Sequence, residues 1–301
     1  MIRGMVLGKF MPPHAGHQYL VHFARHYCDD LTVVVGTLPS EPIPGSLRYQ
    51  WMCELFPFAR VLHLSDDLPQ EPSQHPCFWN VWEAALRRIL PSPVELVFAS
   101  EPYGETLAQV LGARFIPVDP ERSAMPVSGT AIREDPLRHW SYLPDPVRPY
   151  FVKRVCVFGA ESTGKSTLAE RLARQFETVV VPEYARGYLT RRGGQVTAGD
   201  IAPIARAQAA SEDALARRAC RLLVCDTDVL STVVWSEALF GSCDDAIRRM
   251  AAERRYHLYL VPEADVPWVS DPVRYLPNDR EAFFARCLRH LEGRPYRRLR
   301  G

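Results

Sequence analysis

Two short stretches set phosphate-binding groups at fixed spacing. Gly159-Ala160-Glu161-Ser162-Thr163-Gly164-Lys165-Ser166 fits the pattern G-x-x-x-x-G-K-[ST], with an apolar run before it (residues 155–158) and an amphipathic helical stretch after it (residues 167–175). In that setting the loop N–H groups and the helix N-terminus surround a phosphate, the lysine reaches the β- and γ-oxygens, and the serine hydroxyl ligates Mg2+. Gly159, Glu161, Ser162, Thr163, Gly164, Lys165, Ser166 and Thr167 are therefore expected to bind ATP. Beside Ser166, a second metal ligand is expected at Asp226, where the apolar run 222–225 ends in a carboxylate as a Walker-B strand does. An aspartate in such a place can also be an ordinary helix N-cap, and this applies more strongly to Asp228.

The other stretch is Gly8-Lys9-Phe10-Met11-Pro12-Pro13-His14-Ala15-Gly16-His17. His14 and His17, three residues apart at the start of a helix, bring two imidazoles to the positive end of its dipole, where they can donate hydrogen bonds to phosphate oxygens. Lys9 adds a cation, Gly16 lets the backbone approach a ligand, and Gly8 and Phe10 complete the loop. Its complement is Val127-Ser128-Gly129-Thr130-Ala131-Ile132-Arg133, hydroxyls and N–H groups opening another helix with Arg133 one turn on. Taken alone, Ser128-x-Thr130 is a helix cap; beside the histidine pair it becomes a clamp for the β- and γ-phosphates of ATP.

Loops of this kind work only when strands aim them. Short apolar runs at residues 33–35, 60–64, 94–98 and 114–118 are predicted strands, and residues 17–26 and 78–89 are predicted helices between them. Residues 143–149 carry three prolines, a stiff connector, after which strands are predicted at 154–158, 178–181, 222–225 and 257–261. The fold class that follows is α/β, with two domains (1–150 and 151–301), each built on a doubly wound parallel sheet with its ligands at the carboxyl ends of the strands.

The whole-chain composition narrows the classes of function. At 301 residues, 47% hydrophobic and 24% charged, the chain has the make-up of a globular protein with two cores. A net charge of +1 gives no reason to expect nucleic acid or an anionic membrane surface as partner. There is no apolar run of about 18 residues and no signal-peptide pattern. The eight cysteines are scattered without a C-x-x-C pair, which suits a reducing, cytoplasmic compartment better than a disulfide framework or zinc site. Oligomeric state, homo-oligomer or monomer, is not legible.

The N-terminal motif pair resembles the H-x-G-H nucleotidyltransferase superfamily; the lysine-rich loop and greater length of class I aminoacyl-tRNA synthetases are missing. Over nearly its whole length the chain resembles the NadR type, in which a nicotinamide-mononucleotide (NMN) adenylyltransferase is fused to a P-loop ribosylnicotinamide kinase. The fragments that carry this are Arg48-Tyr49-Gln50-Trp51-Met52, Phe98-Ala99-Ser100-Glu101-Pro102, Val118-Asp119-Pro120-Glu121-Arg122, Pro182-Glu183-Tyr184-Ala185-Arg186, Cys225-Asp226-Thr227-Asp228 and Trp268-Val269-x-Asp271-x-x-Arg274. Some members of the family carry an N-terminal helix-turn-helix domain and repress transcription. This chain starts at the first predicted strand of the transferase, so the resemblance does not imply that role.

The resemblance implies two successive ATP reactions on small molecules, nicotinamide riboside to NMN and NMN to NAD, with Mg2+. In the kinase half it gives Lys165 and Asp226 to ATP and metal, and Glu183 to the acceptor hydroxyl, with Asp228 as its competitor. Arg274 and Arg280 would serve a closing lid, Trp268 and Tyr296 would sandwich the pyridinium ring, and Asp271 would bind the ribose. In the transferase half His14, His17 and Lys9 would stabilise the triphosphate while Ser128, Thr130 and Arg133 hold the departing pyrophosphate. Trp79 or Trp82 could stack on nicotinamide, although a helical tryptophan also serves as core. A coenzyme-A assembly enzyme joins the same two chemistries, but residues 182–186, 226–228 and 268 favour the nicotinamide reading. A nucleotide-sensing regulator with weak turnover is opposed by the intact Lys165 and Asp226.

Overall fold

The computed structural model describes residues 1–269, 271, 273–275 and 279–300, which form two compact units, Met1–Val147 and Arg148–Gly301. The first unit alternates strand and helix: β1 (Arg3–Gly8), α1 (Ala15–Tyr27), β2 (Asp30–Gly36), α2 (Gly45–Leu55), β3 (Arg60–Leu64), α3 (Phe78–Ile89), β4 (Leu96–Ala99), α4 (Tyr103–Leu111), β5 (Arg114–Pro117) and α5 (Gly129–Glu134). Its strands pair in parallel in the order β3-β2-β1-β4-β5. Side chains alternate across the sheet with the two-residue period of a strand. Val33 and Val35 of β2 pack with Leu20 and Val21 of α1 and Met52 of α2, while Val34 packs on the other face with Leu86 of α3 and Leu107 of α4. Helices on both faces make each strand apolar throughout, which is why the sequence reads as short continuous runs rather than alternation. Chain order reverses between β1 and β4, so a crevice opens at their carboxyl ends, where the loop 9–14 leaves β1.

The second unit contains α6 (Arg148–Phe151), β6 (Lys153–Val157), α7 (Lys165–Gln175), β7 (Val180–Val181), α8 (Tyr184–Arg191), α9 (Ala198–Ala216), β8 (Leu222–Asp226), α10 (Val229–Phe240), α11 (Asp245–Glu253), β9 (Leu258–Pro262), α12 (Arg280–His290) and β10 (Tyr296–Leu299). The parallel order is β10-β9-β6-β8-β7, with β6, the strand before the phosphate loop, in the middle. Two elements differ from the sequence prediction. β7 keeps only two of the four expected residues, and Tyr296–Leu299 adds an edge strand at a segment rich in arginine.

The cleft-facing helix α9 is anchored from behind by a buried ionic cluster. Glu212 of α9 is fully buried, lies 3.0 Å from Arg154 of β6 and 3.3 Å from Arg254, and accepts a hydrogen bond from the Tyr256 hydroxyl at 2.5 Å. Removing one member of such a set leaves the others buried without their counter-charge, a loss of about 3–5 kcal/mol. Glu212→Ala should therefore lower the unfolding free energy of the second unit by about that amount in a denaturant titration. A loss well under 1 kcal/mol would show that α9 is held by something else.

Candidate active sites

In the first unit β1 ends at Gly8 and the chain turns through Phe10, a buried residue at φ 47°, into α1. His14 is the N-cap: its Nδ1 accepts the Gly16 N–H at 3.1 Å. A neutral imidazole that accepts at Nδ1 carries its proton at Nε2, which leaves an N–H donor for a ligand. His17 lies one turn on, its ring centroid 3.8 Å from that of His14 and 4.9 Å from Phe10. Burial, and then the nearby Arg122, lowers the His14 pKa to about 4. The His17 pKa is also pushed well down, by burial first and then by His14 and Arg122. At neutral pH the pair is therefore a set of uncharged donors. His17 Nδ1 is buried without a hydrogen-bond partner among the described residues.

The second motif meets the first directly. Ser128 caps α5 by accepting the Ala131 N–H at 3.1 Å. The Arg133 guanidinium donates to the Met11 carbonyl and, at 3.0 Å, to Thr130 Oγ1. Gly129 is required at this crossing, because a Cβ there would lie 2.8 Å from the same Met11 oxygen. Gly8, Lys9, Phe10, His14, Gly16, His17, Ser128, Thr130, Arg133, Trp79 and Trp82 all line one open cleft of about 650 Å³, within the size range of small-molecule sites. The two tryptophans border the cleft and also pack on the core of α3 and α4, and Trp82 Nε1 donates to the Pro69 carbonyl at 2.8 Å. The cleft also contains Glu101, Asp119 and Arg122, which the sequence offered only as family fragments.

In the second unit the phosphate loop leaves β6 and enters α7 through Gly164, whose φ of 81° is closed to other residues without strain. Lys165 Nζ donates to the Ala160 carbonyl at 2.7 Å. Asp226 ends β8 beside the Ser166 hydroxyl; burial raises its pKa, which the Ser166 hydrogen bond opposes, and its Oδ1 is buried without a hydrogen-bond partner among the described residues. This hydroxyl–carboxylate pair of hard oxygens suits Mg2+, which takes one or two carboxylates and completes its shell with water and phosphate. Among the described residues no group of three or more His, Cys, Asp or Glu side chains could hold a metal unaided, so phosphate oxygens would be needed as ligands.

Glu161, Ser162, Thr163, Gly164, Lys165, Ser166, Thr167, Glu183 and Arg274 line the second cleft, and Gly159 (φ 137°) begins the loop. Glu183 is raised in pKa chiefly by burial, which Lys165 opposes, and Arg186 Nε lies 3.7 Å from it. Gln208 of α9 accepts the Tyr184 N–H at 2.8 Å and so fixes the start of α8 next to Glu183. The segment after β9 touches the loop at several points: Val269 N–H donates to Ser162 Oγ at 2.8 Å, Tyr275 N–H to Glu161 at 3.0 Å, and Arg280 to the Ser162 carbonyl at 3.1 Å. With these contacts made, the segment borders a cleft of about 160 Å³ beside the phosphate loop.

Four expected ligand residues are not among those that line this cleft. Asp228 faces inward as the N-cap of α10, accepting from Ser231 N–H and from the Tyr259 hydroxyl, both at 2.9 Å, and burial lifts its pKa to about 6. Each of its two oxygens thus accepts a hydrogen bond from within the fold. Trp268 has the guanidinium carbons of Arg274 and Arg280 at 5.8 and 5.7 Å from its ring centroid and does not line the cleft. Tyr296 pairs with Tyr259 in the β10–β9 ladder and is also outside the cleft lining. Asp271 accepts a hydrogen bond from Arg186 at 2.8 Å. The aromatic groups that do line the cleft are Trp235 of α10 and Tyr275, 6.3 Å apart in an edge arrangement, beside the apolar Leu189, Ile201 and Leu239. Trp235 lies in a helix that is apolar nearly all round, so the sequence marks it as core.

Residues 154–300 match the model of the AAA domain family. The chain is 32% identical over 304 residues to the trifunctional NAD biosynthesis/regulator protein NadR of Salmonella typhimurium and 31% identical over 306 residues to that of Escherichia coli, covering 93% of this chain and 74% of each relative. Among solved structures it is similar to a NadR protein in complex with NR (TM-score 0.78, 23% identity, 97% of this chain and 86% of that one) and to a NadR protein in complex with NAD and AMP-PNP (TM-score 0.78, 24% identity, 97% and 88%). Those two structures share its fold, and the sequence identity to the two bacterial regulators, carried over 93% of this chain, makes the chain a member of the NadR family.

Proposed function

We propose that the chain makes NAD from nicotinamide riboside in two ATP-dependent steps, phosphorylation in a kinase unit (151–301) and adenylyl transfer in a transferase unit (1–150). The observation that carries this reading is the closure of the two N-terminal motifs on each other, with Arg133 bonded to the Met11 carbonyl, in a molecule that also has a complete P-loop. The relatives' name as NAD biosynthesis proteins, and the NR, NAD and AMP-PNP of the solved complexes, supply the substrate class. The eight unpaired cysteines fit a cytoplasmic setting, and no helix among the described residues is long and apolar enough to cross a membrane.

In the kinase unit the riboside 5′-oxygen attacks the γ-phosphorus, ADP leaves, and the hydroxyl proton passes to Glu183, whose raised pKa makes it a better acceptor than an exposed carboxylate. Lys165 leaves the Ala160 carbonyl for the phosphates. Ser166 and Asp226 would hold Mg2+, whose chemistry here is to neutralise charge on the β- and γ-oxygens. Arg274 and Arg280, carried by the segment that covers the loop, meet the charge of the transferred group. In the transferase unit an NMN phosphate oxygen attacks the α-phosphorus and pyrophosphate leaves, with no protein nucleophile. The neutral His14 and His17 and the cation Lys9 donate to the triphosphate, and Ser128, Thr130 and Arg133 hold the leaving group.

Purified protein given riboside and MgATP should form NAD without another enzyme, and the two steps should separate by mutation. Lys165→Ala should abolish riboside phosphorylation and leave NMN adenylylation near normal. His17→Ala should lower adenylylation by roughly 10²–10³ and spare the kinase. Equal loss of both activities in either folded variant would remove the two-site assignment.

The riboside ring is a flat cation, and Trp235 with Tyr275 supplies aromatic surface in the lining of the P-loop cleft. A cation on a tryptophan face gains ~0.5–2 kcal/mol, so Trp235→Ala should raise the riboside KM about 2- to 30-fold while the ATP KM stays put. Steady-state kinetics on both substrates, with a melting curve, reads this out. An unchanged riboside KM in a folded variant would return Trp235 to the core.

A further inference from the structure

Arg48, which opens one of the family fragments, takes no part in the chemistry above, yet it is the largest fully buried side chain among the described residues, with 0% exposure. Its Nε donates to the Ile43 carbonyl at 3.1 Å, and one terminal nitrogen reaches the Lys9 carbonyl and, at 3.4 Å, that of Gly36. The other terminal nitrogen pairs with the Glu41 carboxylate. A guanidinium without water needs partners for its donors, and here they are the Glu41 carboxylate and backbone oxygens just past β1, at the end of β2 and before α2. The backbone of the nucleotide loop is thereby fixed at Lys9 itself. Glu41, its side chain 7% exposed, accepts the Leu38 N–H at 2.9 Å and turns an oxygen to the Lys9 ammonium at 3.3 Å. The Lys9 side chain is half-exposed and lines the cleft.

We propose that Glu41, held by Arg48, is a positioning residue that sets the Lys9 ammonium at the cleft for the triphosphate. The proposal rests on reading the first unit as the adenylyltransferase. A lysine has a flexible four-carbon stem and loses much rotamer freedom when its head is captured. Here the backbone end is fixed by Arg48, and the head is drawn by a carboxylate that is itself nearly buried and twice bonded, so that part of that freedom is given up before ATP arrives. Glu41 touches no substrate in this scheme and acts through Lys9 alone.

The test is a double-mutant cycle on transferase kinetics with NMN and ATP, using Lys9→Ala, Glu41→Gln and the double variant. The kinase activity of the same molecules and their melting curves serve as references. Glu41→Gln should raise the transferase KM for ATP about 3- to 30-fold, a range set by the rotamer freedom of one lysine, with kcat little changed. In the Lys9→Ala background it should do nothing further. Losses that multiply, or an unchanged KM in folded Glu41→Gln, would overturn the proposal. If Glu41→Gln unfolds the first unit by stripping Arg48 of its counter-charge, Glu41→Asp, which keeps the charge and draws it back from Lys9, takes its place in the cycle with the same expected pattern. Absence of adenylylation in the unaltered protein would remove the reading of the unit and the positioning role with it, whereas an active protein with multiplicative losses removes the positioning role alone.

Discussion

A phosphate group can be held only where several donors converge, and a parallel sheet provides such a place without special side chains. Every strand of such a sheet ends on the same edge, and every following helix starts there with unpaired N–H groups. Both units of this protein are built around that edge. In the first, β1 delivers the histidine loop and α5 the Ser-Thr-Arg clamp; in the second, β6 delivers the P-loop and β8 the acidic end at Asp226. The net charge of +1 agrees with a scheme in which anions are met by local donors rather than by a positively charged surface.

Within that common scheme the two sites neutralise charge differently. The P-loop relies on a lysine and on a hydroxyl and a carboxylate suited to a divalent ion. The histidine cleft relies on imidazoles kept neutral by burial and by Arg122. The cost of the second arrangement is the desolvated polar edge of His17, left without a hydrogen-bond partner among the described residues, and the framework that supports it is correspondingly stiff: Phe10 beneath His17, Gly129 against the Met11 carbonyl, and Arg48 under Lys9.

Much of this was legible in the sequence, for a physical reason. Loops that bind phosphate must be contiguous, so their residues appear as contiguous patterns, and strands covered on both faces appear as short apolar runs; eleven predicted residues therefore line a single cleft in the first unit. What escaped was of four kinds. β10 is an exposed edge strand, Tyr296–Leu299, whose two arginines lack the apolar signature of a buried strand. Trp235 hides in a helix that is apolar nearly all round, where a cleft-facing side chain looks like core. Asp228 was offered both as cap and as ligand, and only the geometry, with Ser231 and Tyr259 using its two oxygens, decides for the cap. The pairing of Glu41 with Lys9 joins residues 32 positions apart (41 − 9) and leaves no local pattern at all.

The neutrality of the histidine pair has a bearing on how the transferase site empties. A site that bound the triphosphate with several full positive charges would bind free pyrophosphate, which carries the same groups and more exposed charge, at least as firmly. It would then turn over no faster than that product could leave. Uncharged N–H donors are weaker partners for an anion than ammonium or guanidinium groups. They also keep their direction, so they can favour the geometry of the pentavalent phosphorus without a strong hold on the fragment that departs. In this cleft Lys9 and Arg133 already bring full charges, so the neutral His14 and His17 add donors without adding to the charge that pyrophosphate meets.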